Sequence, residues 1–338
     1  MIDFRSDTVT RPTTAMRAAM LQAELGDDVY GEDPSVNRLQ QDLAERLGFA
    51  AALFVPSGTQ SNLLALLSHC QRGDEYLVGA DAHTYKYEGG GAAVLGSIQP
   101  QPLTQDADGT LPLERLQAAI KPIDPHFARS RLVCLENTWH GRALPLGYAE
   151  QVRAFCDQHG LALHLDGARL FNAAVAQGVD AAELCRPYHS VSVCFSKGLG
   201  APVGSVLLGS AELIEQARRW RKVCGGGWRQ AGMLAAACSH ALEHHVQRLS
   251  EDHRRAAELA AALAAAGYVV LGQHSNMLFL NLSPGQQGLL KQALAEQGIV
   301  ISTGYLPTLR LVLHLDIDDA QLQRAIDVFK RVRPQLAA

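Results

Sequence analysis

The sequence predicts an α/β protein with a large domain, built on a mainly parallel seven-stranded sheet covered by helices on both faces, and a small C-terminal α+β domain. The first observation is that apolar runs of strand length alternate with helical segments from residue 51 to residue 222, as is typical of right-handed crossovers in a parallel sheet. The second is a change of this rhythm beyond about residue 245. The third is the length of 338 residues, which exceeds one typical domain.

The N-terminal segment precedes the alternating part. Residues 2–12 are polar and extended, and their alternation predicts an arm that lies against the body or against a neighbouring subunit. A helix is predicted over residues 14–24. Because Asp33 can cap a helix, Pro34 suits its first turn and Gly48 can end it, a second helix is predicted between these residues.

The alternating part supplies the large sheet and its helices. The predicted strands are residues 51–55, 75–79, 93–95, 132–136, 162–166, 190–195 and 203–208. The predicted helices are residues 61–69, 113–120, 147–158 and 211–222. After three glycines at 225–227, the alanine-rich stretch 229–266 exceeds ordinary helix length, so it predicts two helices or one kinked helix that bridges the domains.

The C-terminal part has fewer elements. Strands are predicted over residues 277–282 and 309–315, and helices over residues 286–297 and 319–332. We therefore divide the chain into an N-terminal arm, a large cofactor-binding domain and a small C-terminal domain. The boundaries of the three parts are residues 1–12, 13–245 and 246–338.

Composition excludes several classes of function. A net charge of −4 gives no basic field, so no nucleic-acid partner is expected. The seven cysteines include no close Cys-x-x-Cys pair, so neither a disulfide framework nor a metal site is expected. Asp3, Arg5 and Asp7 stand where a secretory signal needs apolar residues, and no stretch reaches membrane-spanning length. These features predict a cytoplasmic protein that binds no membrane.

Lys197 stands where the apolar run 190–195 ends in glycines. Burial at the mouth of a strand disfavours a charged ammonium and leaves an amine that can attack a carbonyl. On this segment alone, a solvated lysine at the end of a strand is the simpler interpretation.

Asp166 ends another apolar run, and ligands of open α/β sheets bind at the carboxyl ends of the strands. An amine and a carboxylate there are what pyridoxal phosphate requires, the amine for a Schiff base and the acid for the pyridine nitrogen. Ser57, Gly58 and Thr59 begin an apolar helix and offer a phosphate cup. Taken singly, Asp166 and the Ser-Gly-Thr turn could each serve only as helix caps.

Five motifs carry a resemblance to a known family. They are residues 5–12, 26–34, 57–60, 164–169 and 196–205. In combination they resemble the L-threonine aldolases, which are pyridoxal-phosphate enzymes of fold type I, the aspartate aminotransferase group. The resemblance runs from residue 2 to about the last helix. It implies reversible cleavage of L-threonine, L-allo-threonine and related β-hydroxy-α-amino acids to glycine and an aldehyde.

The resemblance also implies catalytic roles for three residues. Lys197 matches the Schiff-base lysine. His83 matches a histidine that stacks on the cofactor ring near the reacting hydroxyl, and His126 matches a second histidine near that hydroxyl, contributed by the partner subunit. With thirteen histidines in the chain, the residues alone leave both as incidental loop histidines. His83, His126 and a bound water all remain candidates for the hydroxyl proton.

Arg169 and Arg310 match the family's pair for the substrate carboxylate, with Ser6 from the arm. Arginine suits this task because its guanidinium donates two parallel hydrogen bonds. Arg169 also borders the cofactor. For Arg310, in an apolar strand, a structural ion pair is the alternative.

Three further residues are assigned to the site by resemblance. Lys222 and Arg229 flank the triple glycine and would reach the cofactor phosphate of the adjacent subunit; a solvated pair at a helix end is the alternative. Tyr30 is assigned to the substrate pocket. The chain departs from the family pattern at Trp139, where histidine is common, and at Trp228, where methionine is common. Both enlarge an aromatic surface near the expected pocket and bear on substrate size and stereochemistry.

Sharing of residues between subunits predicts a homotetramer, arranged as a dimer of dimers. Two other reactions of the same cofactor, β-elimination and transamination, are alternatives, as is a non-catalytic pyridoxal-phosphate binder. A nucleotide-binding protein is disfavoured because the Ser-Gly-Thr turn lacks the glycine spacing of such sites.

Overall fold

The large sheet has seven strands. The structure, a computed structural model, describes residues 1–336. The strands of this sheet are β2 (Ala51–Val55), β3 (Asp74–Gly79), β4 (Gln99–Leu103), β5 (Arg129–Glu136), β6 (Ala162–Gly167), β7 (Ser190–Cys194) and β8 (Ser205–Gly209). Their order is β2-β8-β7-β6-β5-β3-β4. Six strands run in the same direction and β8 alone runs opposite to them, so the predicted mainly parallel sheet is confirmed.

A second, smaller sheet lies in the C-terminal part, and a short strand pair ties the arm to it. The remaining strands are β1 (Ile2–Asp3), β9 (Val270–His274), β10 (Met277–Asn281), β11 (Ile299–Val300) and β12 (Thr308–Val312). The order β12-β10-β9 forms an antiparallel sheet, and β1 pairs in parallel with β11. Phe4 of the arm is fully buried against Phe329, with ring centroids 6.3 Å apart.

Helices cover both faces of the large sheet, and the last three α-helices of the described residues pack mainly in the C-terminal core instead. The helices are α1 (Thr14–Leu21), α2 (Pro34–Leu47), α3 (Gly58–His69), α4 (His83–Lys86), α5 (Gly91–Gly96), α6 (Leu113–Ala119), α7 (Tyr148–His159), α8 (Leu170–Gln177), α9 (Ala181–Cys185), α10 (Ala211–Val223), α11 (Gly232–His244), α12 (Leu249–Ala265), α13 (Pro284–Ala295) and α14 (Asp319–Val332). Consecutive residues of a strand enter different cores: Val206 belongs to the cluster that includes residues of α2, α7 and α11, whereas Leu207 belongs to the cluster that includes residues of α3 and α10. This alternation is what the pleat requires of a sheet buried on both sides.

Helix α2 begins and ends where its capping residues predict. Asp33 caps it by accepting a hydrogen bond from Val36 N at 3.0 Å, with Pro34 in its first turn. Gly48 ends it at a φ of 79°, a left-handed conformation that glycine adopts without a steric penalty. The alanine-rich stretch forms two helices, α11 and α12, as one of the two sequence-based options had it.

One predicted strand, residues 93–95, is wrong. These residues lie in helix α5, and the strand next to β3 is β4. Pro100 and Pro102 of β4 lack the backbone N–H that a residue of a central strand must donate. The sequence of this segment therefore does not indicate a strand. The prolines are tolerated because β4 lies at the edge of the sheet and needs only one neighbour.

The carboxyl ends of four parallel strands lie at one edge of the large sheet. The segments after β3, β5, β6 and β7 meet there, and the N-terminus of α3 adjoins them. Within residues 1–336, no helix is both long and apolar enough to cross a bilayer.

Candidate active site

Lys197 follows β7 in a turn anchored by its own backbone. Its carbonyl accepts hydrogen bonds from Thr10 Oγ1 and Gly200 N, both at 2.9 Å. The side chain is half-buried. Its ammonium lies close enough to the carboxyls of Asp7 and Glu136 to favour their ionised forms. The amine is therefore enclosed among acids at the edge of the sheet.

Asp166 lies on the neighbouring strand β6 and is 2% exposed. Its Oδ2 accepts from Asn62 Nδ2 at 2.8 Å, and its Oδ1 accepts from Ala168 N at 3.0 Å. Glu136 is its cross-strand partner on β5, so the two carboxyls lie side by side. Asp166 and Lys197 thus stand at adjacent strand ends, as the sequence predicted.

His83 begins the short helix α4 and is held at two points. Its backbone N donates to Glu136 Oε2 at 2.8 Å, and its Nδ1 lies 2.8 Å from Glu88 Oε1. The hydrogen bond to Glu88 raises the pKa of His83, although burial opposes it. The ring of Tyr87 lies 5.8 Å from the imidazole, centroid to centroid.

Two acids near His83 are destabilised in their charged forms. Burial raises the pKa of Glu88, and the nearby Asp166 carboxylate adds to this effect. Burial and Asp166 likewise raise the pKa of Glu136 to about 7. Displaced pKa values of this kind cluster at functional sites, where acids and bases are held out of water.

The Ser57-Gly58-Thr59 turn has the properties of an anion cup. Ser57 caps α3 by accepting from Gln60 N at 3.2 Å, so the first amides of the helix point outwards. The Ser205 hydroxyl on β8 is buried without a hydrogen-bond partner. It would lie 3.7 Å from a Cβ added to Gly58. An unpaired hydroxyl beside a helix N-terminus fits the phosphate of the expected cofactor.

Arg169 is paired within the chain. Its Nε and Nη2 donate to the two carboxylate oxygens of Asp7 at 2.8 and 2.6 Å, and Asn276 Nδ2 adds a bond to Asp7 at 3.3 Å. Burial opposes ionisation of Asp7, but Arg169 outweighs it and holds the Asp7 pKa well below its usual range. Two of the guanidinium nitrogens that were expected to bind a substrate carboxylate therefore bind the arm.

Arg310 forms fewer hydrogen bonds within the chain than Arg169 does. It lies on β12 opposite Phe279, and its Nη2 donates to the Arg5 carbonyl at 3.4 Å. Burial and the nearby Arg169 charge lower its pKa. No carboxylate within residues 1–336 forms an ion pair with it. Ser6, next to Asp7 in the arm, accepts from Thr8 N at 3.2 Å.

Four predicted site residues lie on the surface. The His126 side chain is 83% exposed, with its Nδ1 2.6 Å from Asp124, and Tyr30 is 76% exposed. Arg229 pairs with Asp27 at 3.0 Å, and Lys222 is exposed. Their described contacts do not include Lys197 or Asp166.

The triple-glycine turn nevertheless adjoins the cup. A Cβ on Gly226 would overlap the Gln60 side chain of α3, and a Cβ on Gly227 would lie 3.6 Å from Lys222 Cδ.

The two tryptophans pack differently. Trp139 lies against Gly109 and edge-on to His140, with ring centroids 4.7 Å apart. It helps to line a cleft of about 350 Å³ next to Tyr87 and Phe279. Trp228 instead packs edge-on against Phe54 at 6.1 Å. Of the two tryptophans, Trp139 lines this cleft, which also includes Tyr87, the neighbour of the His83 ring.

Sequence reasoning missed the acids and the amide that support the predicted residues. Asn62 and Glu88 were not singled out, and Asp7 and Glu136 were noted only as parts of motifs. The available signal was a polar pair, Ser61 and Asn62, directly before the apolar run 63–67 of helix α3.

The comparisons with known proteins agree with this geometry. A model of the β-eliminating lyase family matches residues 3–283. The low-specificity L-threonine aldolase of Escherichia coli O157:H7 is 53% identical over 322 residues, which cover 95% of this chain and 96% of that protein. The chain belongs to the low-specificity L-threonine aldolase family. A second member, low-specificity L-threonine aldolase 1 of Arabidopsis thaliana, is 42% identical, covering 98% of this chain and 96% of its own.

Solved structures agree on the fold. A threonine aldolase from Leishmania major superposes with a TM-score of 0.85 at 22% identity, covering 98% of this chain and 99% of its own. A serine palmitoyltransferase from Sphingomonas wittichii gives a TM-score of 0.77 at 20% identity, covering 99% of this chain and 88% of its own. The predicted family, the fold class, the pyridoxal-phosphate cofactor and the prediction of a lyase that cleaves threonine to glycine and an aldehyde are thus confirmed.

Proposed function

We propose that this chain is a pyridoxal-phosphate-dependent aldolase that reversibly cleaves L-threonine, L-allo-threonine and related β-hydroxy-α-amino acids to glycine and an aldehyde. The observation that carries the proposal is the location of Lys197 and Asp166 at the carboxyl ends of the adjacent parallel strands β7 and β6. The 53% identity to a low-specificity L-threonine aldolase supports the substrate class.

The residues present fit the cofactor. Lys197 would hold it covalently and Asp166 would face its pyridine nitrogen. The cup of Ser57, Gly58 and Thr59 would bind its phosphate, with the unpaired Ser205 hydroxyl as a further donor. When bound, the cofactor supplies a ring that accepts electrons from the bond being broken.

The arginine pair orients the substrate. Arg310 has no ion-pair partner of its own in the part of the chain that is described, so a substrate carboxylate can take its guanidinium fork. Arg169, fixed by Asp7, stands beside it as a second cation, and Ser6 lies next to Asp7. This arrangement fixes the carboxylate and thereby the direction of the Cα–Cβ bond.

A proton must leave the β-hydroxyl as the Cα–Cβ bond breaks. His83 is the candidate that the single chain places near Asp166, and its raised pKa lets the imidazole exchange a proton near neutral pH. His126 remains a candidate only if a second subunit carries it to the site, because its side chain is exposed here.

We also propose that the active protein is a homotetramer built as a dimer of dimers, located in the cytoplasm. Four residues expected at the site, Tyr30, His126, Lys222 and Arg229, are exposed in the single chain, which supports sites completed by a neighbour. We keep the division into an arm (1–12), a large domain (13–245) and a small domain (246–338) as a proposal; a C-terminal core formed mostly by residues after 255 supports it, although Ile2 and Phe4 of the arm belong to that core and Val246 and Leu249 belong to the core of the large sheet.

The test is to incubate the purified holoenzyme separately with L-threonine and with L-allo-threonine. We expect glycine and acetaldehyde in equal amounts from at least one of them. A keto acid without ammonia would indicate transamination, and a keto acid together with ammonia would indicate elimination. Bound cofactor without turnover of any β-hydroxy amino acid would indicate a non-catalytic binder, and each of these three results would contradict the proposal.

A further inference from the structure

Asn62 lies at the centre of a hydrogen-bonded network behind His83 and Asp166. Its Nδ2 donates to Glu88 Oε1 and to Asp166 Oδ2, both at 2.8 Å. Its Oδ1 lies 3.3 Å from His164 Nε2. The side chain is 1% exposed, so no water competes for these bonds. One buried amide therefore joins the acid beside His83 to the acid expected at the pyridine nitrogen.

The chemistry of the partners fixes the direction of each bond. The Asn62 amide has two N–H donors, and both are used by the two acids, so its oxygen must accept. His164 Nε2 must then carry a proton, and His164 Nδ1 must accept from Ser190 Oγ at 2.8 Å. The Ser190 oxygen in turn accepts from His69 Nε2 at 2.7 Å.

The protonation states of the buried histidines agree with this direction. Burial lowers the pKa of His164 to about 3 and that of His69 to about 4. Both imidazoles are therefore neutral near pH 7 and each carries a single N–H, as the network requires. Two carboxyls so close together would repel each other without a donor between them.

The same cluster could be taken for a cation site. The ligand atoms of His83, Glu88 and Asp166 lie within 4.8 Å of one another. The Asn62 N–H groups already point at both acids, however, and His83 Nδ1 lies against Glu88 at 2.8 Å. Hydrogen bonds thus account for the arrangement of the three side chains.

We propose that Asn62 is a positioning residue that holds Glu88 and Asp166 at a fixed separation, so that Glu88 directs the Nδ1 side of His83 and leaves Nε2 for the ligand. The charged groups that face His83 are Glu88, Glu136 on β5, Asp166 on β6 and Lys197. Asn62 contacts two of these groups, Glu88 and Asp166. Through Glu88 it orients the imidazole of His83, and through its direct hydrogen bond it positions Asp166, the acid expected at the pyridine nitrogen. The inference rests on the proposed function only in requiring that the cofactor binds.

Two variants test this role with effects of opposite sign. Asn62→Asp adds a negative charge beside Glu88 and Asp166. When the visible absorption of the bound cofactor is titrated with pH, we therefore expect the lower apparent pKa of this spectral titration to rise by about one unit. Glu88→Gln removes a charge and keeps an acceptor for Asn62, so this pKa should fall by about one unit. In Asn62→Asp the affinity for pyridoxal phosphate should also weaken, by about tenfold, because Asp166 loses a donor there.

The measurement is the visible absorption of the bound cofactor titrated with pH in the absence of substrate, together with the dissociation constant of pyridoxal phosphate. Neither depends on aldolase turnover, so failure of the proposed function would leave this test intact. Histidine NMR, with the resonance assigned by its loss in His83→Asn, reports the His83 pKa directly.

The matched control is Gln287→Leu. Gln287 is another fully buried amide with three hydrogen bonds, all to backbone groups of Leu282, Gly304 and Leu306. We expect it to lower the melting temperature without moving the spectral titration. If Asn62→Asp and Glu88→Gln behaved like this control, with a lower melting temperature but unshifted pKa values and cofactor affinity, Asn62 would have only a structural role and the inference would be overturned.

Discussion

At the scale of single residues, the two arginines of the site differ in whether a carboxylate of the chain already binds them. Arg169 is engaged by Asp7 through two bonds, whereas Arg310 donates only to a backbone carbonyl. An arginine without an acid beside it keeps an incomplete set of hydrogen bonds, which a carboxylate ligand completes. Arg310 is therefore the residue on which substrate affinity should depend most directly.

Replacing Arg310 by lysine tests this. Lysine keeps the charge but loses the planar fork, and hydrogen bonds to charged groups contribute about 1.5–3 kcal/mol. We expect KM for L-threonine to rise about 10- to 100-fold while kcat changes less. Arg254→Lys, on the surface of α12, is the control and should change neither constant. An unchanged KM in Arg310→Lys would place the substrate carboxylate elsewhere.

Sequence reasoning identified the residues expected to meet the ligand more readily than those that support them. Lys197 and Asp166 were predicted because each follows an apolar strand, a local feature. Asn62 and Glu88 act through contacts between segments 26 and 104 residues apart. No local pattern predicts such pairings, since only the crossover topology brings α3 against β6.

At the scale of elements, helix α3 and strands β6 and β7 enclose the polar network. Their local sequence signals, an N-cap at Ser57 and apolar strands, predicted all three elements, although α3 begins at Gly58, three residues before its predicted start. Strand β4 of the same sheet was missed, because its prolines do not indicate a strand. An apolar run that forms part of helix α5 was predicted as the strand instead. Whether a strand lies at the edge of a sheet depends on the arrangement of all its strands. The sequence alone therefore did not show that the proline-containing segment, and not the apolar run in α5, forms the strand.

The buried histidine between these elements should make stability depend on pH. His164 is fully buried and burial lowers its pKa to about 3, below the ordinary value of 6.5. The unfolded chain binds a proton below pH 6.5 that the folded chain does not bind until about pH 3, so stability is lost as pH falls through this window. At about 1.4 kcal/mol per pH unit, this loss is roughly 2–3 kcal/mol by pH 4.5.

Urea unfolding at fixed protein concentration between pH 7 and pH 4.5 measures this effect. His164→Gln cannot take up the proton, so its free energy of unfolding should fall less than that of the wild type over the same range. Carboxyl groups titrate equally in both proteins and cancel in the comparison. Parallel pH dependences would show that His164 does not remain neutral in the folded state.

At the scale of the whole molecule, several residues expected at the site face outwards. Tyr30, His126 and Lys222 are exposed, as are the large apolar side chains of Val94 and Ile123. Exposed apolar and site-directed residues on one chain are what a subunit interface would cover.

We therefore expect sedimentation velocity to show a tetramer, and specific activity to fall on dilution as subunits separate. His126→Ala should then reduce activity in the assembled protein without changing the sedimentation coefficient. A monomer that keeps full specific activity at nanomolar concentration would contradict the shared site.

The most direct test of the whole account is borohydride reduction of the holoenzyme followed by peptide mass mapping. Because Lys197 follows β7 at the edge of the sheet where Asp166 ends β6, and its charge acts on both Asp7 and Glu136, we predict that the reduced pyridoxyl group is found on Lys197, in a stoichiometry of one per chain. Lys197→Ala should bind the cofactor without this label and lose activity. A label on any other lysine, or none on the active holoenzyme, would contradict the account.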